Sequence, residues 1–256
     1  MMTFEEFTAK IHKTIDLDLS KYKENQLKRR VTQFMNRYEL ASFSSFFDLL
    51  EKDAHVLSKF RDYITINTSE FFRDTKVYRY IEKHILAHHH SRKPTYKIWS
   101  AGCSVGAEPY TLAMLAMEKK ISRINITATD YDRSVLKKAK EGIYTKSYLK
   151  NVPDQYLRKY FTEDKKQYRI LPEVKKNVTF QEHNLLSDRF LTSNHLILCR
   201  NVFIYFTYEV QMELVRKFAA ALQPGGYLII GSSEFIPVPE TFGFEKEYYS
   251  IYKKAL

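Results

Sequence analysis

The stretch Trp99-Ser100-Ala101-Gly102-Cys103-Ser104-Val105-Gly106-Ala107-Glu108-Pro109-Tyr110 constrains this chain more than any other. It opens as an apolar strand, breaks at two glycines and restarts as a helix with an acid and a proline in its first turn. A strand, a glycine turn and a helix N-terminus in that order build a nucleotide-type pocket. The turn carries neither Gly-x-Gly-x-x-Gly nor Gly-x-x-x-x-Gly-Lys-Ser/Thr, and Glu108 is an awkward neighbour for a pyrophosphate. A carboxylate at that place suits a cation, or a neutral ligand bearing amine and hydroxyl groups.

From Tyr96 onward strands and helices alternate, the signature of a mostly parallel sheet. The spacing predicts strands at Tyr96–Ala101, Asn125–Thr129, Val178–Gln181, His195–Cys199 and Tyr227–Gly231, closed by a hairpin over Phe244–Lys253. Helices are expected at Pro109–Lys119, Arg133–Lys140 and Tyr208–Leu222, the last with Thr207 as its cap. Residues 143–177, rich in Lys and Tyr, break the rhythm and read as an insertion of short helical and β pieces on the rim of the sheet. In such a sheet ligands bind beyond the carboxyl ends of the strands. Those ends are Gly102–Glu108, Asp130, Asn184-Leu185 and Arg200-Asn201. Asp130 stands at the tip of the second strand, where an acid accepts hydrogen bonds from ribose hydroxyls. S-adenosylmethionine, an adenosine with a sulfonium and an aminoacyl tail but no phosphate, meets these requirements.

Residues 1 to about 65 read as a string of short helices. From Tyr22, the residues Leu27, Val31, Phe34, Met35 and Tyr38 recur at helical spacing. Lys23, Arg30 and Arg37 fall seven apart beside that face, with Gln26 and Gln33 between them, so they line up along the helix. Residues 21–37 hold six Lys or Arg against one Glu. A second helix is expected near Ser45–Phe60, and a third, ending near His88, follows Tyr63–Asp74. Ser69 or Asn67 is placed to cap that third helix. His88–Pro94 reads as a linker; its three histidines lack a Cys or carboxylate ligand set, so no metal site is expected.

The formal charge of +11 points to an anionic partner, whether nucleic acid, an acidic membrane surface or an acidic protein. The two cysteines, Cys103 and Cys199, lie in apolar strand contexts and read as reduced, buried thiols. No stretch approaches the ~18 apolar residues of a membrane span, and the N-terminus has no apolar signal core. A cytoplasmic protein with no direct membrane insertion is expected.

Five segments occur in order: Ile66–Asp74, Trp99–Tyr110, Ala128-Thr129-Asp130, Asn184-Leu185-Leu186 and Cys199–Phe206. Together with the helical N-terminal part, they resemble the CheR-type chemotaxis receptor methyltransferases over nearly the whole chain. The resemblance implies an α/β fold: a Rossmann-like S-adenosylmethionine-dependent methyltransferase sheet, a small all-helical N-terminal domain and a small inserted α+β subdomain. The corresponding divisions are 1–75 for receptor docking, 76–94 as helix and linker, and 95–256 as the catalytic domain with 143–177 inserted. The implied reaction is transfer of a methyl group from S-adenosylmethionine to glutamate side chains on cytoplasmic helices of methyl-accepting chemoreceptors, with no nucleic-acid partner.

Carried over by position, the resemblance places Asn67, Ser69, Arg73, Glu108, Asp130, Asn184, Leu185, Arg200 and Asn201 around the cofactor. Arg73 and Tyr205 are the candidates for orienting the incoming carboxylate. Two departures mark this chain. Thr207 stands where the family often has an acid after Ile-Tyr-Phe. The insertion is compact around Thr162–Tyr168, where some members tether a short receptor peptide. Recognition is therefore expected to rest on Lys23, Arg30 and Arg37. Two alternatives are a nucleic-acid methyltransferase, disfavoured by Arg200-Asn201-Val202-Phe203 where amino-methylating DNA enzymes carry Asn/Asp-Pro-Pro-Tyr/Phe, and a receptor-docking module that binds the cofactor as a signal.

Overall fold

A computed structural model describes residues 2–15, 17–65, 69–88 and 95–256. The chain divides into two compact units, Met1–Asn67 with Ile204–Glu213, and Thr68–Phe203 with Leu214–Leu256.

The first unit is built on four helices: α1 (Phe4–Ile15), α2 (Glu24–Asn36), α3 (Phe43–Lys52) and α4 (Ala54–Ile64). A reciprocal capping box starts α1: the Thr3 N–H donates to Glu6 Oε2 (2.8 Å) and the Glu6 N–H to Thr3 Oγ1 (3.2 Å). Phe7, Phe34, Phe46 and Phe60, one from each helix, are fully buried and pack ring against ring at 5.2–6.3 Å between centroids. The single helix expected at Ser45–Phe60 is two. Asp53 ends α3 and caps α4, its Oδ1 accepting the N–H groups of His55 and Val56. An aspartate competes for backbone donors and so favours a cap over a helix interior, which apolar periodicity alone does not reveal. The segment after residue 203 joins this unit through an antiparallel bridge: the Lys23 N–H donates to the Tyr205 carbonyl (2.8 Å) and the Thr207 N–H to the Lys21 carbonyl (3.0 Å).

The second unit opens with α5 (Thr75–Tyr80), which continues as a π turn over Ile81–Ile85 and a short 3-10 turn over Leu86–His88. There follow β1 (Tyr96–Ala101), α6 (Ala107–Glu118), β2 (Ile124–Asp130) and α7 (Arg133–Glu141). The insertion contributes β3 (Ile143–Thr145), α8 (Asp154–Tyr160), β4 (Phe161–Asp164), β5 (Gln167–Ile170) and α9 (Pro172–Lys175). The chain closes with β6 (Val178–Glu182), β7 (Asn194–Cys199), α10 (Tyr208–Ala221), β8 (Leu222–Ile230), β9 (Phe244–Tyr248) and β10 (Ile251–Lys254). Among the described residues, seven strands form one sheet in the order β6-β2-β1-β7-β8-β10-β9. Its first five strands are parallel, and β10 and β9 add an antiparallel edge. β1 and β7 are buried on both faces except at Lys97 and His195, as strands covered by helices on both sides require. The order reverses at β1, whose neighbours are β2 and β7, so the crevice beyond the β1 and β7 tips is the topological switch point.

Strand β8 begins five residues earlier than its sequence suggests. Its register on β7 jumps from Asn194–Leu222 to Leu196–Tyr227, so Gln223–Gly226 are absorbed as an irregularity and the Pro-Gly-Gly turn does not break the strand. The insertion forms its own antiparallel sheet, β3-β5-β4, whose hairpin turns at Lys165 and Lys166 with φ of +46° and +68°. Two successive positive φ angles describe the tight turn of a two-residue hairpin. The histidine-rich residues 89–94 lie outside the described residues.

Candidate active site

The glycine turn folds as a chain of left-handed positions: Gly102, Ser104 and Gly106 have φ of +77°, +50° and +86°. A Cβ on Gly102 would stand 2.7 Å from Val202 Cγ2, and one on Gly106 would stand 2.9 Å from Ala139 Cβ. The turn thus approaches the residue after Asn201 and helix α7 as closely as only glycine allows. The N–H groups of Gly102 and Cys103 both donate to the Thr129 carbonyl, at 2.8 and 2.9 Å, which binds the turn to the end of β2.

Asp130, the last residue of β2, receives the Ser104 N–H at Oδ2 (2.8 Å) and the Asp132 N–H at Oδ1 (3.0 Å). Burial pushes its carboxyl up to about 6, against the pull of the backbone N–H groups of Asp132 and Ser104. Each oxygen retains acceptor capacity for a further donor. Beside it, Ser104 Oγ is buried and without a hydrogen-bond partner. An acid with remaining acceptor capacity, an unpartnered hydroxyl and a turn that only glycine can make together fit the hydroxyl-rich half of an adenosyl ligand.

Across the switch point, the Arg200 side chain is only 3% exposed and holds a network together. Its Nη2 donates to Asp74 Oδ2 at 2.5 Å and to the Arg73 carbonyl at 3.0 Å. Its Nη1 reaches Glu108 Oε2 at 3.4 Å and the Tyr78 hydroxyl at 3.3 Å, and Nε is buried without a partner. Ser100 Oγ donates to the other Glu108 oxygen at 2.8 Å, and Ser232 Oγ to Asp74 Oδ2 at 3.4 Å. Burial raises the Glu108 carboxyl above its usual range, while the Arg200 and Arg73 charges draw it back. Burial works against the Arg200 charge, but Tyr78, Glu108 and Asp74 outweigh it and hold the guanidinium ionised. Phe72 and Asp74 have φ of +54° and +60°, so the segment before α5 is bent into this network through left-handed backbone.

Three expected residues therefore meet directly or through their charges: Arg73, Glu108 and Arg200. The Arg200 terminal nitrogens are engaged by protein partners, Glu108 among them. Ser69 is half-buried at the start of the segment that leads to Arg73. Asn184 heads a turn, its Oδ1 accepting the Leu186 N–H (3.0 Å) and its own N–H donating to Asp188 Oδ2 (2.8 Å), with Leu185 buried behind it. The His183 N–H donates to the Asp130 carbonyl (3.0 Å) and so brings this turn to the β2 tip. Asn201, at φ of +60°, donates its N–H to Glu234 Oε2 (3.1 Å). Asn67 lies outside the described residues. The thiols of Cys103 and Cys199 are buried and pushed well above the usual thiol range, which keeps them protonated. Asp74, Tyr78, Ser100, Ser104 and Glu234 were not assigned from sequence. Asp74 adjoins Arg73, and Ser100 points to the same face of β1 as Gly102, so period-2 alternation marks Ser100.

In the first unit the basic stripe is arranged differently from the reading of its sequence. Helix α2 spans Glu24–Asn36, which leaves Lys23 as its N-cap and Arg37 as its C-cap. Lys23 and Arg37 are exposed and Arg30 is half-buried. The Arg30 guanidinium donates to the Tyr63 carbonyl and lies 4.5 Å from the Tyr63 ring, and Arg37 lies 4.4 Å from the same ring. The Tyr63 hydroxyl donates to Gln33 Oε1 at 3.1 Å. Burial lowers the Arg30 affinity for its proton, opposed by the electrostatics of Tyr63 and Tyr205. Arg30 is thus a tie between α2 and α4 and not an open charge.

A parallel sheet that reverses beside a glycine turn, with an acid at the neighbouring strand tip and no phosphate loop, defines the nucleoside-binding class of α/β enzyme. The chain belongs to the CheR methyltransferase family: the all-alpha domain of that family matches residues 2–65 and its SAM-binding domain matches residues 67–251. It is an S-adenosylmethionine-dependent methyltransferase. The chain is similar to a chemotaxis protein methyltransferase of Listeria monocytogenes, 39% identical over 93% of this chain and 91% of that protein. A chemotaxis protein methyltransferase of Borreliella burgdorferi is 33% identical over 88% and 85% of the two chains. One of Escherichia coli is 31% identical over 90% and 83%. Among solved structures, the magnesium protoporphyrin IX methyltransferase of Synechocystis overlaps 61% of this chain and 52% of its own at 15% identity and a TM-score of 0.36.

Proposed function

We propose that this protein esterifies glutamate side chains on the cytoplasmic helices of chemoreceptors, in chemotaxis adaptation. The similarity to chemotaxis protein methyltransferases, at 39% identity over 93% of the chain, carries this reading. Such acceptors lie in the cytoplasm, and we place the protein there. Among the described residues no helix is long and apolar enough to cross a membrane.

Asp130 and Ser104 are suited to the ribose, and Asn184 and Leu185 to the adenosine side of the pocket. Glu108, set by Ser100 and Arg200, would receive the amino end, with Ser69 and Arg73 as the flanking wall and Asn201 near the site of transfer. When bound, the cofactor would supply a sulfonium methyl group for a carboxylate oxygen, the sulfur keeping the electron pair of the broken bond. A glutamate carboxylate, with an ordinary pKa of ~4.3, is ionised at neutral pH and needs no base. The Arg200 guanidinium pairs with both Asp74 and Glu108 and offsets part of their charge beside a reaction that removes charge. The residues' contribution is chiefly alignment. We assign Arg73 to orienting the incoming carboxylate.

Incubation with methyl-labelled cofactor and the cytoplasmic fragment of a chemoreceptor from the same genome tests this reading. Base-labile label on the fragment is expected. Label on nucleic acid would replace it with the nucleic-acid reading, and cofactor binding without transfer would replace it with the docking-module reading.

The helical first unit is proposed to dock the receptor through Lys23 and Arg37, the exposed members of the stripe. The double charge reversal Lys23→Glu/Arg37→Glu is expected to raise KM for the receptor fragment by about tenfold, with cofactor affinity unchanged and a weaker effect at high salt. Arg30→Glu is a poor probe, since it also unties α2 from α4. Unchanged KM in the double variant sinks this docking role.

A further inference from the structure

We infer that Phe235 is a specificity-determining residue, the apolar contact that seats the protein acceptor beside the site of transfer. The inference rests on the proposed function, since it needs a polypeptide acceptor.

Phe235 is 70% exposed, although it lies only five residues beyond β8, a strand that ends in the core at Ile230. Its exposure is imposed by its neighbours on both sides. Glu234 is 8% exposed, and its N–H donates to the Gly231 carbonyl at 2.9 Å. Its Oε2 accepts the N–H groups of both Gly231 and Asn201. A Cβ on Gly231 would stand 2.7 Å from that carboxylate and 2.8 Å from the Asn201 nitrogen, so the fit there admits only glycine. On the other side Ile236 is 4% exposed, and its N–H donates to the Tyr252 hydroxyl at 3.0 Å. With residues 234 and 236 fixed inward, the side chain between them is turned to solvent. An exposed Phe forgoes the gain of burying its ring. Here the forgone burial lies at a fixed place.

The place is the substrate end of the sheet. Glu234 is hydrogen-bonded to Asn201, the residue after Arg200 at the tip of β7, so Phe235 stands one residue from a direct contact with the wall of the site. The acceptor feature it fits is an apolar side chain one helical turn from the accepting glutamate, the i±3 or i±4 neighbour on an amphipathic helix. Glu234 is the positioning residue for this contact.

The experiment is steady-state methylation of the chemoreceptor cytoplasmic fragment by the full chain and by Phe235→Ser and Phe235→Leu, with S-adenosylmethionine affinity measured by calorimetry. Phe235→Ser is expected to raise KM for the fragment about tenfold, with kcat and cofactor Kd within about twofold, and Phe235→Leu to recover most of the loss. An unchanged KM in Phe235→Ser overturns the inference. So does a cofactor Kd that weakens in step with KM, because Phe235 would then belong to the cofactor pocket. A wild-type protein that binds the cofactor and leaves the fragment unlabelled overturns the proposed function, and this inference with it.

Discussion

Arg200→Met is expected to destabilise the second unit by about 2–3 kcal/mol, below the ~3–5 kcal/mol cost of breaking a fully buried pair, because Asp74 keeps about a third of its side chain in water. The substitution strands Asp74 and Glu108, which the guanidinium now holds at 2.5 and 3.4 Å. The sole tryptophan, Trp99, is fully buried in β1, so its fluorescence during urea unfolding reports this unit. Combining Arg200→Met with Glu108→Gln should be less destabilising than the two changes added together, because the second removes a charge that the first has exposed. Cofactor affinity should fall in each. A stability loss below about 1 kcal/mol in Arg200→Met, or strict additivity, would show that the network carries little energy.

Cofactor binding should also depend on pH through Asp130. Its carboxyl titrates at about 6 in the unliganded fold, because burial outweighs the backbone N–H groups of Asp132, Ser104 and Tyr131. The ionised form is the acceptor that ribose hydroxyls need. As pH falls below about 6 the carboxyl takes up a proton first, and affinity should drop, approaching tenfold per pH unit. Binding at pH 5 is thus expected to be about tenfold weaker than at pH 8. Asp130→Asn should bind about a hundredfold more weakly at pH 8, from the loss of charge-assisted hydrogen bonds worth about 1.5–3 kcal/mol each, with a flat profile between pH 5 and 8. A sloped profile in the variant would assign the dependence to another group. For the unliganded fold the sign is the reverse. A carboxyl raised from 3.8 to about 6 contributes stability that is complete below the lower value and lost as pH rises through the higher.

The path to the pocket was legible because its parts are local. β1 at Tyr96–Ala101 falls where the apolar run put it, and β2, α7, β6 and β7 agree to within a residue or two. Asp130 follows from position alone, as the polar end of the second strand after the glycine turn. The misreadings share one cause. Apolar spacing continues across Asp53 as if one helix ran through it, and the break shows only in the hydrogen bonds of the aspartate. Pro224-Gly225-Gly226 reads as the turn before a strand, and the neighbour β7 instead carries the strand past it. Helical periodicity placed Arg30 on a line with Lys23 and Arg37, but Tyr63 of α4 decides which of the three faces solvent.

By itself the sequence determined the order of strands and helices, the glycine turn, the acid at the second strand tip and the motifs of the family. Each of these is written in neighbours a few residues apart, where sterics and periodicity act directly. Only the tertiary structure decided the state of the charges. Arg200 meets Glu108 across 92 positions and Asp74 across 126, and Asn201 meets Glu234 across 33. Whether a charged side chain reads a ligand, holds another residue or lies open to solvent depends on which elements pack over it. That is set by the burial of the whole sheet and its helices, and no local pattern carries it.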